Sequence, residues 1–540
     1  MGTLLFSIIF STTIIIFLFL GKANNWNLRY FLYIGMSLIG TLDLIYINFL
    51  GFYVLEFIIS FIFISSLLFI IYILTSTITD KMTRIIFLSF CDTILLLVIT
   101  LPLILKSYLN LNNFSKECII SIFQTNLSEI YNFVITTIST YHVIIIFALF
   151  LAISFIVNRQ KKKSIIYKKK LFLYIILFLT SNIIISGFTC SPIKFIINTK
   201  ESYDQYIQLI HQDNHHLDYS KFCLTNKDSI NYVIIIGESL CRDYMSSYGY
   251  PLKTTPSIDR LVNDSVFLLF PNVYSSNIKT IKCIPDILTS HNQFNSNSHY
   301  NLINLLNNLS FHTAWLSNQS QIGIFDSPIT SLVKNAKVQR YKKIGKEYDE
   351  TLIPEMKKEL LNSNKKKVIF VQLMGQHLHA SSQYPHIYPF LRDTTYQDKY
   401  LYHYENSIRY NDYVISSIYK EIKNFNNTIL IYLSDHGEKP GMSRFEDNPH
   451  IQMFKIPLLI YFSPDLKQSL TYNSLINNIN KFWSNDLFFE LSCGILGISN
   501  DSIIKEQHDL SSTKYNLDAS CFTFISQKYH LTETGDEFRR

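Results

Sequence analysis

Apolar residues follow two different patterns along this chain. Up to about residue 190 they form long runs, roughly 4–20, 30–50, 52–77, 85–105, 133–157 and 171–189, each near the ~20 residues a helix needs to cross a bilayer. Beyond 229 the runs shorten to strand length: NYVIIIG at 231–237, HTAWLSN at 312–318, KVIFVQLMG at 367–375, NTILIYLSD at 427–435 and IPLLIYF at 456–462. Unbroken Val/Ile/Leu without polar alternation marks strands buried on both faces. Stretches with helical spacing and a polar face lie between them, around 300–309, 351–363 and 405–424. The pattern predicts a membrane domain over 1–190, with six helices or with five if one run stays out of the bilayer. It predicts an α/β sandwich with a mainly parallel sheet over 229–540. The stretch 191–228 turns polar, and KFIINTKESYDQYIQLIHQ reads as an amphipathic helix lying on the membrane surface, a linker between the two.

Composition agrees with a divided chain. Of 540 residues 48% are hydrophobic and 16% charged, which excludes a disordered, collagen-like or small disulfide-stapled protein. The mean hydropathy of +0.15 is high for a soluble globule of this size. There are 48 basic and 41 acidic residues, net +7, and NRQKKKSIIYKKK at 158–170 alone contributes Arg159, Lys161, Lys162, Lys163, Lys168, Lys169 and Lys170. The remainder is close to neutral, so no basic face argues for nucleic acid.

Charge also sets the orientation. The links after the first, third and fifth apolar runs carry Lys22 and Arg29, Lys81 and Arg84, and the 158–170 cluster. By the positive-inside rule these links are cytoplasmic, so six spans leave everything after 190 outside, which is periplasmic in a bacterium with two membranes. The first run lacks a basic region ahead of it and a small-residue cleavage site and reads as a retained span. Asp43, Glu56, Asp92 and His142 fall inside the runs, where charge is expensive; they are expected to pair between helices or reach the interface. Cys118, Cys190, Cys223, Cys241, Cys283, Cys493 and Cys521 fall on the oxidising side and Cys91 in a span, with no CxxC or Cys/His cluster to hold a metal.

In open α/β sheets, ligands gather at the carboxyl ends of strands. Here the first strand runs into Glu238, the third into His377 and His379, and the fourth into Asp435 and His436. Singly each has an ordinary explanation: an acid at a helix N-terminus, a DHG turn. Two carboxylates and an imidazole at one sheet edge instead suit a divalent ion such as zinc, with a fourth ligand still to be found. Residues alone do not choose it among Ser275, Ser276, Thr280 and Thr289.

GESxxRDxxSxYGYPxxTTP at 237–256, MGxH at 374–377 and SDHGE at 434–438 together resemble the phosphoethanolamine transferases, membrane-anchored relatives of alkaline phosphatase and the sulfatases, and look nearest to the branch that modifies lipopolysaccharide-core heptose. The resemblance implies that Glu238, Asp435 and His436 ligate one zinc ion, with room for a second. It places the nucleophile, and the missing ligand, at Thr280. A metal-bound hydroxyl is acidified enough to attack phosphorus at neutral pH. It further implies that His377 contacts the transferring phosphate or protonates a leaving oxygen. A substrate-facing histidine before the last strand falls at His450, or at Gln452 if the register is taken from MFKIP. Arg242 would neutralise phosphate or make an exposed ion pair. The donor would be phosphatidylethanolamine and the acceptor lipopolysaccharide, on core heptose or lipid A. Other readings are a phosphoglycerol transferase, a sulfatase-like hydrolase, which lacks its C/S-x-P-x-R motif here, and a transporter or scaffold with an inactive outer domain.

Overall fold

The computed structural model describes residues 217–539, apart from 226–227, 296–298, 320–327, 342–346, 378–379, 386–397 and 443–448, together with 80–91 and isolated positions between 70 and 176. The six expected spans lie outside the described residues except for the start of the fourth, helical over 81–91, and a few isolated positions; Asp43, Glu56, Asp92, His142, Cys118 and Cys190 also lie outside. Among the described residues no helix is long and apolar enough to cross a membrane. The chain forms two compact units, Met1–Gln208 and Leu209–Arg540.

The second unit is built on seven strands: β1 (Ile230–Gly237), β2 (Phe267–Leu269), β3 (His312–Ser317), β4 (Val338–Arg340), β5 (Lys366–Gln372), β6 (Thr428–Ser434) and β7 (Leu458–Phe462). They lie in the order β2-β7-β6-β1-β5-β3-β4. All five apolar runs expected as strands are there. The three-residue edges β2 and β4 are too short and too exposed on one side to give a periodic signal. β1 pairs in parallel with β5 and β6, and β3 with β4 and β5, whereas β7 is antiparallel to both β6 and β2. A parallel return would need a crossover helix on a sheet face. Among its described residues the 435–457 connection has instead a 3-10 turn at Ile451–Met453 and no helix of crossover length.

Alternate residues of each central strand feed two separate cores, as two-sided burial requires. Ile234, Ile236, Trp315 and Phe370 pack on the face that holds helices α2 (Thr280–Leu288), α3 (Leu302–Asn308) and α6 (Phe488–Leu496). Val233, Ile235, Val371 and Leu430 pack on the other, with α4 (Leu352–Leu360) and α5 (Lys399–Ile422). α5 starts at 399 because Asp398 caps it, its carboxylate accepting from the N–H of Tyr400 and Leu401. Part of the expected 191–228 linker belongs to this unit: Phe222 is buried against Tyr300 and Phe489, and Cys223–Leu224 pairs with Ile498–Ser499.

Candidate active site

Strand register assembles the site. Gly237 pairs with Ser434 and Ile236 with Gln372, so β1, β5 and β6 end at one level. The next residues on β1 and β6, Glu238 and Asp435, therefore emerge side by side, fully buried together with His436. Gly375 lets the segment after β5 close in beside them. It adopts φ +49, and a Cβ there would sit 2.9 Å from both the N and the O of Glu238. Asp349 holds this turn, its carboxylate accepting from the N–H of Met374 (2.8 Å) and Gly375 (3.0 Å).

Each side chain is aimed by further hydrogen bonds. Asp435 Oδ1 accepts from the N–H of Ser239 (2.9 Å) and His436 (2.7 Å), while Oδ2 lies 3.4 Å from His436 Nε2. His436 Nδ1 is 2.8 Å from the Gly437 carbonyl. A carbonyl only accepts, so Nδ1 carries the proton and Nε2 presents its lone pair to the site. That Nε2 lies 3.5 Å from Glu238 Oε1 and 3.3 Å from Thr280 Oγ1. The Thr280 hydroxyl lies 3.0 Å from each Glu238 oxygen. Glu238 also accepts from the Ser239 hydroxyl (2.6 Å) and from Gln319 Nε2 (3.1 Å).

The Glu238, Asp435 and His436 ligand atoms lie within 4.8 Å of one another. Two buried carboxylates, one imidazole lone pair and one hydroxyl make a four-donor set of the chemistry that tetrahedral zinc takes. Thr280 opens α2 after Lys279, which provides no side-chain cap. The first-turn N–H groups and the positive end of the helix dipole thus sit beside the hydroxyl, where they favour an anion. Cys283, one turn on, is no rival nucleophile. Burial, and then the charges of Asp435 and Asp286, hold its thiol well above its usual value.

Of the remaining expected residues, His379 lies outside the described residues and the others do not join this cluster. The His377 ring makes no hydrogen bond to the four; the backbone N–H of His377 donates to the Met374 carbonyl (3.1 Å), which leaves the residue beside the Gly375 turn. His450 caps the Ile451–Met453 turn, its Nδ1 accepting from the Gln452 N–H (3.2 Å), and burial and the Lys439 charge depress its pKa. Gln452 donates to Asp243 (3.4 Å). Arg242 corrects its expectation: it is neither exposed nor aimed at the site. It is 5% exposed, donates to the carbonyls of Val273 and Ile456, and stacks 4.8 Å over Tyr274. The Val273 carbonyl also accepts from the Ile456 N–H (3.2 Å), so the guanidinium sits where the two segments already meet. Cys223, Cys241, Cys283, Cys493 and Cys521 are free thiols. Gln319, Ser239 and Gly437 were not foreseen; Gln319 lies two residues past β3, so its place after a strand end was the available signal.

Residues 230–492 match the sulfatase family. The chain carries a sulfatase-family domain. The phosphoethanolamine transferase EptC of Escherichia coli K12 is 32% identical over 262 residues, covering 43% of this chain and 44% of that protein. CptA of Salmonella typhimurium is 28% identical over 268 residues, and EptA of Helicobacter pylori 26% over 299. The chain spans about half the length of these curated relatives. Among solved structures, the zinc complex of the C-terminal periplasmic domain of E. coli EptC is 26% identical with a TM-score of 0.50, covering 55% of this chain and 90% of that one. The integral membrane lipooligosaccharide phosphoethanolamine transferase EptA of Neisseria meningitidis, 16% identical with a TM-score of 0.61, covers 88% of this chain and 95% of its own, and shares the fold. The sulfatase-family domain and its transferase relatives agree with the resemblance read from the GES, MGxH and SDHGE motifs.

Proposed function

We propose that this chain is an inner-membrane enzyme that transfers phosphoethanolamine from phosphatidylethanolamine to lipopolysaccharide, through a covalent intermediate on Thr280. In this reading 1–190 spans the membrane and 229–540 works in the periplasm. The observation that carries it is the Thr280 hydroxyl, 3.0 Å from both Glu238 oxygens at the start of a helix. Zinc held by Glu238, Asp435, His436 and Thr280 would supply Lewis acidity, lowering the hydroxyl pKa and offsetting phosphoryl charge.

The residues of the chain do the rest. Glu238 takes the Thr280 proton as Oγ1 bonds to phosphorus, and the phosphorus–oxygen bond to glycerol breaks. Diacylglycerol leaves with a proton, for which His377 is the candidate donor. The acceptor hydroxyl or phosphate then attacks the phosphorus of the phosphoethanolamine–threonine diester, its proton, where it carries one, returning to His377, and Thr280 recovers its own proton from Glu238 as it departs. The α2 N-terminus steadies the phosphoryl oxygens in both steps.

The test uses the full chain in vesicles that contain phosphatidylethanolamine. The wild type should release diacylglycerol and gain one phosphoethanolamine on the peptide bearing Thr280, and Thr280→Ala should do neither. Diacylglycerol release that survives in Thr280→Ala overturns the covalent step. A phosphoglycerol adduct on Thr280 moves the donor to phosphatidylglycerol. Mass spectrometry of core and lipid A fractions then identifies the acceptor.

A further inference from the structure

The site draws its ligand turn (Asp435, His436) and its nucleophile (Thr280) from segments 155 residues apart, and something must hold the two at a constant distance. The direct contact between them, Thr280 Oγ1 to His436 Nε2 at 3.3 Å, is long and itself part of the reaction centre. We infer that Asn485 is the positioning residue that sets this distance, an inference that rests on the threonine–zinc reading. Its Nδ2 donates to the Asp435 carbonyl (2.6 Å) while its Oδ1 accepts from the Ser276 N–H (2.9 Å), so one planar amide spans both segments. It is fully buried and touches none of the reacting atoms.

The two ends of the brace are firm. The Ser276 hydroxyl donates to Asp286 on α2 (2.7 Å), and its carbonyl accepts from the Ile525 N–H (3.0 Å). Ser275 N–H donates to the Phe454 carbonyl (2.8 Å). Only three residues separate Ser276 from Thr280. The mount of Asn485 is equally fixed. Trp483 and Ser484 pair in parallel with Val273 and Tyr274, and the 3-10 turn Asn485–Leu487 leads straight into α6 on the face that holds α2. The position demands one donor and one acceptor on a single short side chain. Aspartate offers two acceptors and would set a buried charge against the Asp435 carbonyl; alanine offers neither group.

The experiment compares full-length wild type, Asn485→Asp, Asn485→Ala and a control, Leu487→Ala, which opens the same buried element but removes no side-chain hydrogen bond. Three quantities are read: zinc affinity by competition with a chromophoric chelator, kcat and KM for phosphatidylethanolamine, and the thermal midpoint. Both Asn485 variants should bind zinc about tenfold or more weakly, as loss of a partner behind the ligands does. Their kcat should fall while KM holds, whereas Leu487→Ala should melt lower with zinc affinity unchanged. Asn485 variants whose zinc affinity and kcat match those of Leu487→Ala overturn the assignment. A wild type that binds zinc yet moves no phosphoethanolamine retires the transferase reading, and the zinc-affinity comparison still decides for or against Asn485.

Discussion

Gly437→Ala adds a single methyl group to the turn that carries Asp435 and His436. The new Cβ would lie 2.2 Å from the Gln452 carbonyl oxygen and 3.0 Å from that of Lys455. Reaching 3.0 Å, the shortest separation that real Cβ atoms show, requires the segments to part by about 0.8 Å. Both contacts are backbone, so no rotamer change relieves them. The 452–455 segment cannot retreat. The Phe454 ring stacks 4.7 Å from Phe524, and its carbonyl accepts from the Ser275 N–H. The displacement therefore passes to residues 435–437, where Gly437 N–H donates to the Met453 carbonyl (2.8 Å) and the Gly437 carbonyl fixes the His436 tautomer. Overpacking of this kind costs about 1–3 kcal/mol. A misplacement near 1 Å lowers an oriented reaction by about 10²-fold. Gly437→Ala should accordingly melt a few degrees lower, bind zinc more weakly and lose about two orders of magnitude in kcat. The assays are chelator competition, a thermal melt and diacylglycerol release. Wild-type zinc affinity and kcat in Gly437→Ala would refute the claim that this close approach holds the ligand turn.

Three further outcomes follow from the same geometry. Glu238→Ala should strip zinc from the purified protein, measured by elemental analysis; full occupancy in that variant would break the ligand assignment. Arg242→Met removes a buried guanidinium and its hydrogen bonds to two backbone carbonyls, so stability should fall by about 2–3 kcal/mol with KM for phosphatidylethanolamine unchanged. A raised KM at an unchanged melting temperature would instead give Arg242 a phosphate to bind. Burial lifts the Asp509 carboxyl from 3.8 to about 7, so between those values the folded chain binds more protons than the unfolded one. Stability contributed by this group is present at low pH and lost as pH rises toward 7. Asp509→Asn should flatten that part of the melting temperature profile between about pH 4 and 7; an unaltered slope would assign it to other groups.

How much of this was legible beforehand depended on which physical signal each part leaves. The central strands were readable because two-sided burial imposes an unbroken apolar run, as in Tyr232–Ile236 and Ile429–Leu433, all at most 2% exposed. The edges β2 and β4 bury one side of three residues and leave no such mark. Glu238, Asp435 and His436 stood out because the carboxyl end of a parallel strand is where a sheet collects ligands. Thr280 did not, since a threonine that opens a helix looks like any other helix start; only the resemblance selected it over Ser275, Ser276 and Thr289.

Arg242 and Asn485 show what position along the chain cannot convey. Arg242 sits inside the GES motif, four residues after Glu238, and its charge suggested phosphate. The carbonyls that claim it belong to Val273 and Ile456, 31 and 214 residues away. Asn485 sits in no motif, yet its amide meets the backbone of Asp435 and Ser276, 50 and 209 residues away. Both are decided by backbone groups far away in the chain, whose place beside the side chain is invisible until the segments are folded together. Chemistry-bearing side chains at strand ends are readable from sequence because regular structure aims them. The side chains that brace them become readable only when the hydrogen bonds of the loops are counted.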